Sequence, residues 1–338
     1  MKQAYLFKKL KGLKIRCDLC AHRCVVAEGM KGKCCVRENT GGILYSLVYD
    51  KVISENIDPI EKKPLFHFLP GSKSLSIAAP GCNFKCFFCQ NWQISQMPCD
   101  SGVIEGREVS PERIVADAVS NHCKSISYTY TEPTIYFELA YDTAKIASSR
   151  GIKNVFVTNG FMSQECLQMI SPYLDAANVD LKSFSDDFYK NRVGGRLKPV
   201  LANIVKMFNY GIWLEVTTLL IPGLNDSYEE LENIAKFLSG ISPFLPWHIS
   251  AYYPQYKSDI GPTQVKSIIK AIEIGKKSGL KHVYGGNIHG SKYENTVCSN
   301  CGKEILKRTG YLITDSNIKN GCCTNCGNRI DGVWENVR

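Results

Sequence analysis

Between residues 74 and 284 the chain repeats one unit. Short β-rich runs occur at 74–79, 125–130, 154–158, 177–181, 213–221, 248–253 and 282–284, each beside a helix-like stretch. From the second run on, they follow one another at about 25 to 35 residues, the length of a βα unit. Helices are expected at 111–121, where Ser110 can cap and Glu112 sits in the first turn, and at 227–238, with Asp226 and Ser227 as cap candidates. Such a repeat predicts an α/β fold with a parallel sheet, open or closed into a barrel, and functional residues at the carboxyl ends of its strands. Pro59, Pro64, Pro70 and Gly71 precede the first run, and Gly285, Gly286 and Gly290 follow the last. The expected parts are a Cys-rich segment with a linker at 1–70, the βα domain at 71–290 and a small Cys-rich domain at 291–338.

Composition narrows the class. Of 338 residues, 44% are apolar and 22% charged, which suits a globular chain with one large core. No stretch approaches the roughly 18 apolar residues of a membrane span, and the lysine-rich start lacks the apolar core of a signal peptide, so a cytoplasmic protein is expected. Its sixteen cysteines then argue for metal ligands in a reducing compartment rather than a disulfide framework. They fall in three groups, with Cys99, Cys123 and Cys166 apart and read as ordinary thiols. A net charge of +9 favours an acidic partner, such as an electron-transfer protein, a nucleic acid or an anionic cofactor.

The central group is Cys82, Cys86 and Cys89, in Ala-Pro-Gly-Cys82-Asn-Phe-Lys-Cys86-Phe-Phe88-Cys89. On a helix these three would form an apolar stripe, but Pro80 and Gly81 after a β-run place them in a loop leaving a strand. A structural zinc needs a fourth protein ligand, and none lies nearby. A cubane iron–sulfur cluster takes one thiolate per iron, so three cysteines leave one iron open to an outside ligand.

The CxxxCxxC spacing, with aromatic Phe88 before the last cysteine, resembles the radical S-adenosylmethionine superfamily. The resemblance implies a partial (β/α)6-type TIM barrel with small Cys-rich metal-binding extensions at either end. It also implies a [4Fe-4S] cluster on Cys82, Cys86 and Cys89, with S-adenosylmethionine chelated to the open iron. More narrowly, the order of motifs resembles the glycyl-radical-enzyme activating branch. Thr131-Glu132-Pro133 stands in place of Gly-Gly-Glu, so Glu132 would take the S-adenosylmethionine amino group. Thr158-Asn159-Gly160 matches Thr-Asn-Gly, with Val157 where an aspartate is usual, and Asp180-Leu181-Lys182 matches Asp-Leu-Lys, whose lysine would meet the carboxylate. Leu245-Pro246-Trp247-His248 resembles a segment whose histidine approaches the adenosyl group. Read without the resemblance, Asp180 and Lys182 make an ion pair and His248 is a satisfied structural histidine.

The chain as a whole resembles the radical enzyme of the AmmeMemoRadiSam system, through Asp58-Pro-Ile-Glu-Lys-Lys-Pro-Leu-Phe-His67, Cys89-Gln-Asn-Trp-Gln-Ile-Ser95 and Tyr128-Thr-Tyr-Thr-Glu-Pro133. This implies AMMECR1-like and Memo-like partners and a one-electron donor such as a flavodoxin or ferredoxin. Read on its residues alone, 58–67 is a proline-stiffened linker with solvated charges.

Two CxxCG knuckles, Cys298/Cys301 and Cys323/Cys326, have the spacing of a four-thiolate zinc ribbon, with rubredoxin-like iron as the other metal. Cys17, Cys20, Cys24 and Cys34 offer four thiols in a segment too small for its own core, fit for zinc or an auxiliary iron–sulfur cluster. Cys35 and Cys322 read as bystanders. A different class, nucleic-acid binding, is suggested by the charge, the ribbon and the basic residues Lys190, Arg192, Arg196 and Lys198, but no aromatic residues are interleaved for stacking.

Overall fold

The computed structural model describes residues 1–288 and 292–334; the expected boundary at 290/291 lies outside them. Its centre is an eight-stranded sheet of β1 (Ser54–Pro59), β2 (Lys73–Ala78), β3 (Ser125–Tyr128), β4 (Lys153–Thr158), β5 (Ala176–Asp180), β6 (Trp213–Leu220), β7 (Trp247–Ala251) and β8 (Val283–Gly286). Each strand pairs with the next in the chain. From β2 to β8 the pairing is parallel, and β1 runs antiparallel to β2 at the edge. Helices α1 (Pro111–Ser120), α2 (Phe137–Ser149), α3 (Gln164–Ile170), α4 (Leu197–Asn209), α5 (Tyr228–Ile241) and α6 (Val265–Lys277) fill the six crossovers. Because strand order never reverses, right-handed crossovers put every helix on the same face and the sheet curls into a partial barrel. Six βα units are present as expected, closed by β8 and flanked by β1.

The helices form where caps and apolar spacing agree. In α1 the Ser110 side chain accepts from the Arg113 N–H, Pro111 opens the first turn, and Pro111, Ile114, Val115 and Ala118 are buried on one face. In α5 the cap is Ser227, accepting from Glu230 N, above buried Leu231, Ile234, Ala235 and Leu238. Asp226, the other cap candidate, instead accepts from Gly223 N at 2.8 Å and closes the preceding turn.

The lumen is polar. Ser74 and Ser76 lie beside Ser125 and Ser127 in register, and Ser74 Oγ meets Ser127 Oγ at 2.6 Å. The apolar residues between them, Leu75, Ile77, Ile126 and Tyr128, point outward to the helices and join the main core.

Residues 58–67 are not a solvated linker, and that expectation is corrected. The segment crosses beneath the barrel and plugs it: Ile60, Leu65, Phe68 and Leu69 pack on Val155 and Ala176, with Trp213 alongside. Lys63 and Asp58 are buried as a pair, Nζ on Oδ2 at 2.6 Å, and the more exposed Lys62 reaches Asp58 Oδ1 at 2.9 Å. The segment so neutralises its own buried charge, and the Tyr130 hydroxyl, brought from beyond β3, adds a donor to Asp58.

A second correction concerns Cys35 and Cys99, read as free thiols; they are joined in a disulfide, with Cα atoms 5.4 Å apart. Their 64-residue separation hides a contact that exists because the N-terminal segment docks beside the loop after Cys89. Among the described residues no helix is long and apolar enough to cross a membrane.

Candidate functional site

A cavity of ≈ 430 Å³ opens at the carboxyl ends of the parallel strands. Cys82, Cys86, Phe88 and Cys89 line it from the loop after β2, Glu132 from the end of β3, Asn159 from β4, and Asp180 and Lys182 from β5. A larger groove of ≈ 810 Å³ lies outside, among Lys190, Arg196, Lys198, Lys206 and Phe237, and no cysteine lines it.

The cysteine loop can turn as it does because of Gly81. Its φ is +110°, and a Cβ there would lie 2.9 Å from Val36 Cγ1. Beyond it, Phe84 N–H donates to Cys82 Sγ at 3.3 Å, Asn159 Nδ2 stands 3.9 Å from the same sulfur, and Ser95 Oγ meets Cys89 Sγ at 3.1 Å. Burial holds the Cys86 thiol up at about 12 and Cys82 well above its ordinary value. Loading thiolate ligands here therefore releases protons.

Glu132 is buried and ties two strand ends together. Its Oε1 accepts from Thr134 N at 3.0 Å, Thr134 Oγ1 at 2.5 Å and Thr158 Oγ1 at 2.7 Å; Oε2 accepts from Asn159 N at 2.8 Å. A carboxylate has about four lone-pair sites, so Oε2 retains room for one more donor. Asn159 gives Nδ2–H to Asn83 Oδ1 at 2.7 Å, next to Cys82. The Gly160 that follows has φ +68°, and a Cβ would stand 2.9 Å from Val179 Cγ1, so only glycine fits the turn. Lys182 Nζ lies 3.0 Å from Asp180 Oδ2; burial would lower its pKa, but Asp180 and the Cys86 thiol together raise it, and the ammonium persists. The expected ion pair forms, and both members face the cavity.

His248 is not brought to the cavity wall. Its Nε2 lies 2.6 Å from Glu215 Oε2, and its ring stacks on Tyr284. Ser250, two residues on and nearer the strand end, faces the cavity in its place. Sequence reasoning missed Lys62, Tyr130, Thr217 and Tyr311, which also line it. Lys62 and Tyr130 fall inside the motifs quoted above; Tyr311 arrives from the Cys-rich C-terminal hairpin and carries no local signal. Tyr130 has φ +61°, a strained conformation for a side-chain-bearing residue, and its hydroxyl donates to Asp58.

The two flanking groups differ in geometry. Cys298 and Cys326 sulfurs are 3.7 Å apart and Cys301 and Cys323 3.8 Å, and all four fall within 4.8 Å of one another. Thiolates around one tetrahedral ion at 2.3 Å would stand about 3.8 Å apart. Among the described residues no other group of three such donors is so tight. Cys82, Cys86 and Cys89 are not such a group, and they line an open cavity with room for a further ligand, an arrangement that fits a cubane with one uncommitted iron.

Residues 76–238 match the model of the Radical SAM superfamily. An uncharacterised protein of Methanocaldococcus jannaschii is 44% identical over 310 residues, 91% of this chain and 92% of its own. The pyruvate formate-lyase-activating enzyme of Clostridium pasteurianum is 22% identical over 191 residues, 53% of this chain and 76% of its own. Among solved structures, Streptococcus suis SuiB bound to S-adenosylmethionine superposes with a TM-score of 0.52 at 15% identity, over 71% of this chain and 56% of that one. That likeness is one of fold. With the cysteine loop at the mouth of a partial barrel and these matches in sequence, the chain carries a Radical SAM domain related to the glycyl-radical-enzyme activases.

Proposed function

We propose that this protein cleaves S-adenosylmethionine reductively and uses the resulting radical on a substrate held above the barrel. The observation that carries the proposal is the convergence of Cys82, Cys86 and Cys89 with Glu132, Asn159, Asp180 and Lys182 on one cavity. The cysteines would hold the [4Fe-4S] cluster. When bound, the cluster supplies one electron that splits S-adenosylmethionine into methionine and a 5′-deoxyadenosyl radical, which takes a hydrogen atom from substrate. Glu132, with Oε2 open, would accept from the amino group, and the Lys182 ammonium would meet the carboxylate. Phe88, buried against Phe87 and Phe188, keeps water from the sulfurs.

Relatives bearing activase names, from Clostridium pasteurianum and Thauera aromatica, favour a partner polypeptide as substrate, its glycine brought to the barrel mouth. The end-to-end resemblance to the AmmeMemoRadiSam enzyme favours instead a small molecule or protein modified together with AMMECR1-like and Memo-like partners. The two readings part on products, since activation alone leaves a stable protein radical. A one-electron donor such as a flavodoxin or ferredoxin would serve either, in the cytoplasm. In the C-terminal site the close spacing of the four sulfurs favours a single ion, zinc or rubredoxin-like iron.

The test is anaerobic. The protein is reconstituted with iron and sulfide, reduced and given S-adenosylmethionine, and 5′-deoxyadenosine is quantified for the native chain and Cys86→Ala. Product from the native chain, with a loss of at least about a hundredfold in the variant, is expected. Equal yields from both would overturn the assignment of the cysteines.

A further inference from the structure

The N-terminal cysteines gather around a cavity of their own. Cys17, Cys20, Cys24 and Cys34 surround one small cavity together with Gly32, His22 and Arg37. Unlike the C-terminal four, no three of them bring all their sulfurs within 4.8 Å, the spacing a single zinc would require. In that respect they resemble Cys82, Cys86 and Cys89. Four irons at alternate corners of a cubane each take one thiolate and so hold the sulfurs farther apart than one ion does.

An independent observation points to a ligand in this cavity. Arg37 is 1% exposed; its Nη atoms serve Glu138 and the Ile135 carbonyl, yet its Nε–H has no partner among the described residues. An apolar cluster of thiols would leave that donor unmet at a cost of about 1–3 kcal/mol. The sulfide of a cluster would accept it, and N–H···S bonds of this kind tune cluster potential.

We infer that Cys17, Cys20, Cys24 and Cys34 hold a [4Fe-4S] cluster with every iron bound by protein, a one-electron centre beside the radical site. With no open iron it binds no substrate. It takes one electron from a reduced low-potential donor and passes one on, and no bond is made or broken. Its loop is fastened to the neighbouring site. His22 Nε2 lies 2.8 Å from the Asn83 carbonyl, next to Cys82, while Ala21 N–H donates to Phe161 O and Ser163 N–H to Leu19 O. The inference stands apart from the proposed function, because it concerns a different set of cysteines.

The deciding sample is the full chain carrying Cys82→Ser, Cys86→Ser and Cys89→Ser, which keeps all four N-terminal cysteines. After anaerobic reconstitution it should retain about four iron and four sulfide, half the native content, and give the Mössbauer and reduced electron-paramagnetic signatures of one [4Fe-4S] cluster. No iron, with or without a zinc beyond that of the C-terminal site, would overturn the inference. Should the triple variant fail to fold by circular dichroism, the native chain decides: Mössbauer intensity for two clusters per chain supports the second centre, and intensity for one removes it.

Discussion

At the scale of single residues, Glu215 links the barrel to its plug. Its carboxylate accepts from Phe66 N at 3.0 Å, His67 N at 2.8 Å, Trp213 Nε1 at 3.0 Å and His248 Nε2 at 2.6 Å. Burial alone would raise its pKa, but His248 and His67 bring it below the ordinary carboxylate value. Removing one member of such a buried set leaves the others unpaired, so Glu215→Leu should cost about 3–5 kcal/mol in denaturant unfolding. A loss below about 1 kcal/mol would show that the plug holds without it. His67 supplies a pH dependence. Its Nε2 lies 2.6 Å from the Tyr284 hydroxyl and its Nδ1 2.8 Å from the Asp331 carbonyl, and burial above all pushes the imidazole down to about 4. An unfolded histidine protonates near about 6.5, so between these values the unfolded chain binds more protons. Stability is therefore complete above about 6.5 and is lost as pH falls to about 4, by about 3 kcal/mol for this group. Urea midpoints measured against pH should fall less steeply for His67→Gln than for the native chain. Some slope should survive, because burial also holds neighbouring His282 well below its ordinary value.

Among the elements, α1 and α5 depend on caps that their own sequences supply. Ser110→Ala and Ser227→Ala should each cost about 1 kcal/mol, and the double variant about their sum, since three βα units separate the two helices. Thermal unfolding of the three variants checks this, and a strongly non-additive double would mean that the crossovers are coupled through the sheet. The plug behaves otherwise. Nothing in 58–67 has the period of a helix or strand that turns one face inward, and its prolines and charges have the composition of an exposed connection. Asp58 and Lys63 pair with each other and with Tyr130 from beyond β3, while His67 finds Glu215 of β6, Tyr284 of β8 and the Asp331 carbonyl.

For the whole molecule, the C-terminal unit is both an appendage and part of the cavity wall. Its own apolar core is small, built on Cys298, Ile305, Cys323 and Ile330, and the metal proposed for its four cysteines would hold it. It also reaches into the barrel. Arg308 donates Nη2–H to the Phe66 carbonyl at 2.9 Å, its guanidinium lies 4.1 Å from the Phe66 ring centre, and Tyr311 lines the cavity. Stripping the metal from Cys298, Cys301, Cys323 and Cys326 with a strong chelator should open Lys303 and Lys307 to trypsin and weaken S-adenosylmethionine binding by several-fold. Limited proteolysis and calorimetry read both effects, and an unchanged digest after removal of all metal would show that the hairpin holds without it.

What the sequence by itself determined is what local chemistry can express. The βα repeat, the capped helices, the cysteine triplet and the two CxxCG knuckles all lie within short windows, where spacing alone restricts geometry. Glu132, Asn159, Asp180 and Lys182 came through the resemblance of motifs, and they share one cavity because strand ends in a parallel sheet collect at one mouth. The tertiary structure alone decided the rest. It closed the barrel floor with 58–67, turned His248 down toward Glu215, bonded Cys35 to Cys99, brought Tyr311 to the cavity and gathered the four C-terminal sulfurs within 4.8 Å of one another. Each is a contact between residues distant in the chain, and no local pattern encodes such a contact, since its stabilisation comes from excluding water between surfaces that meet only when the whole chain has folded.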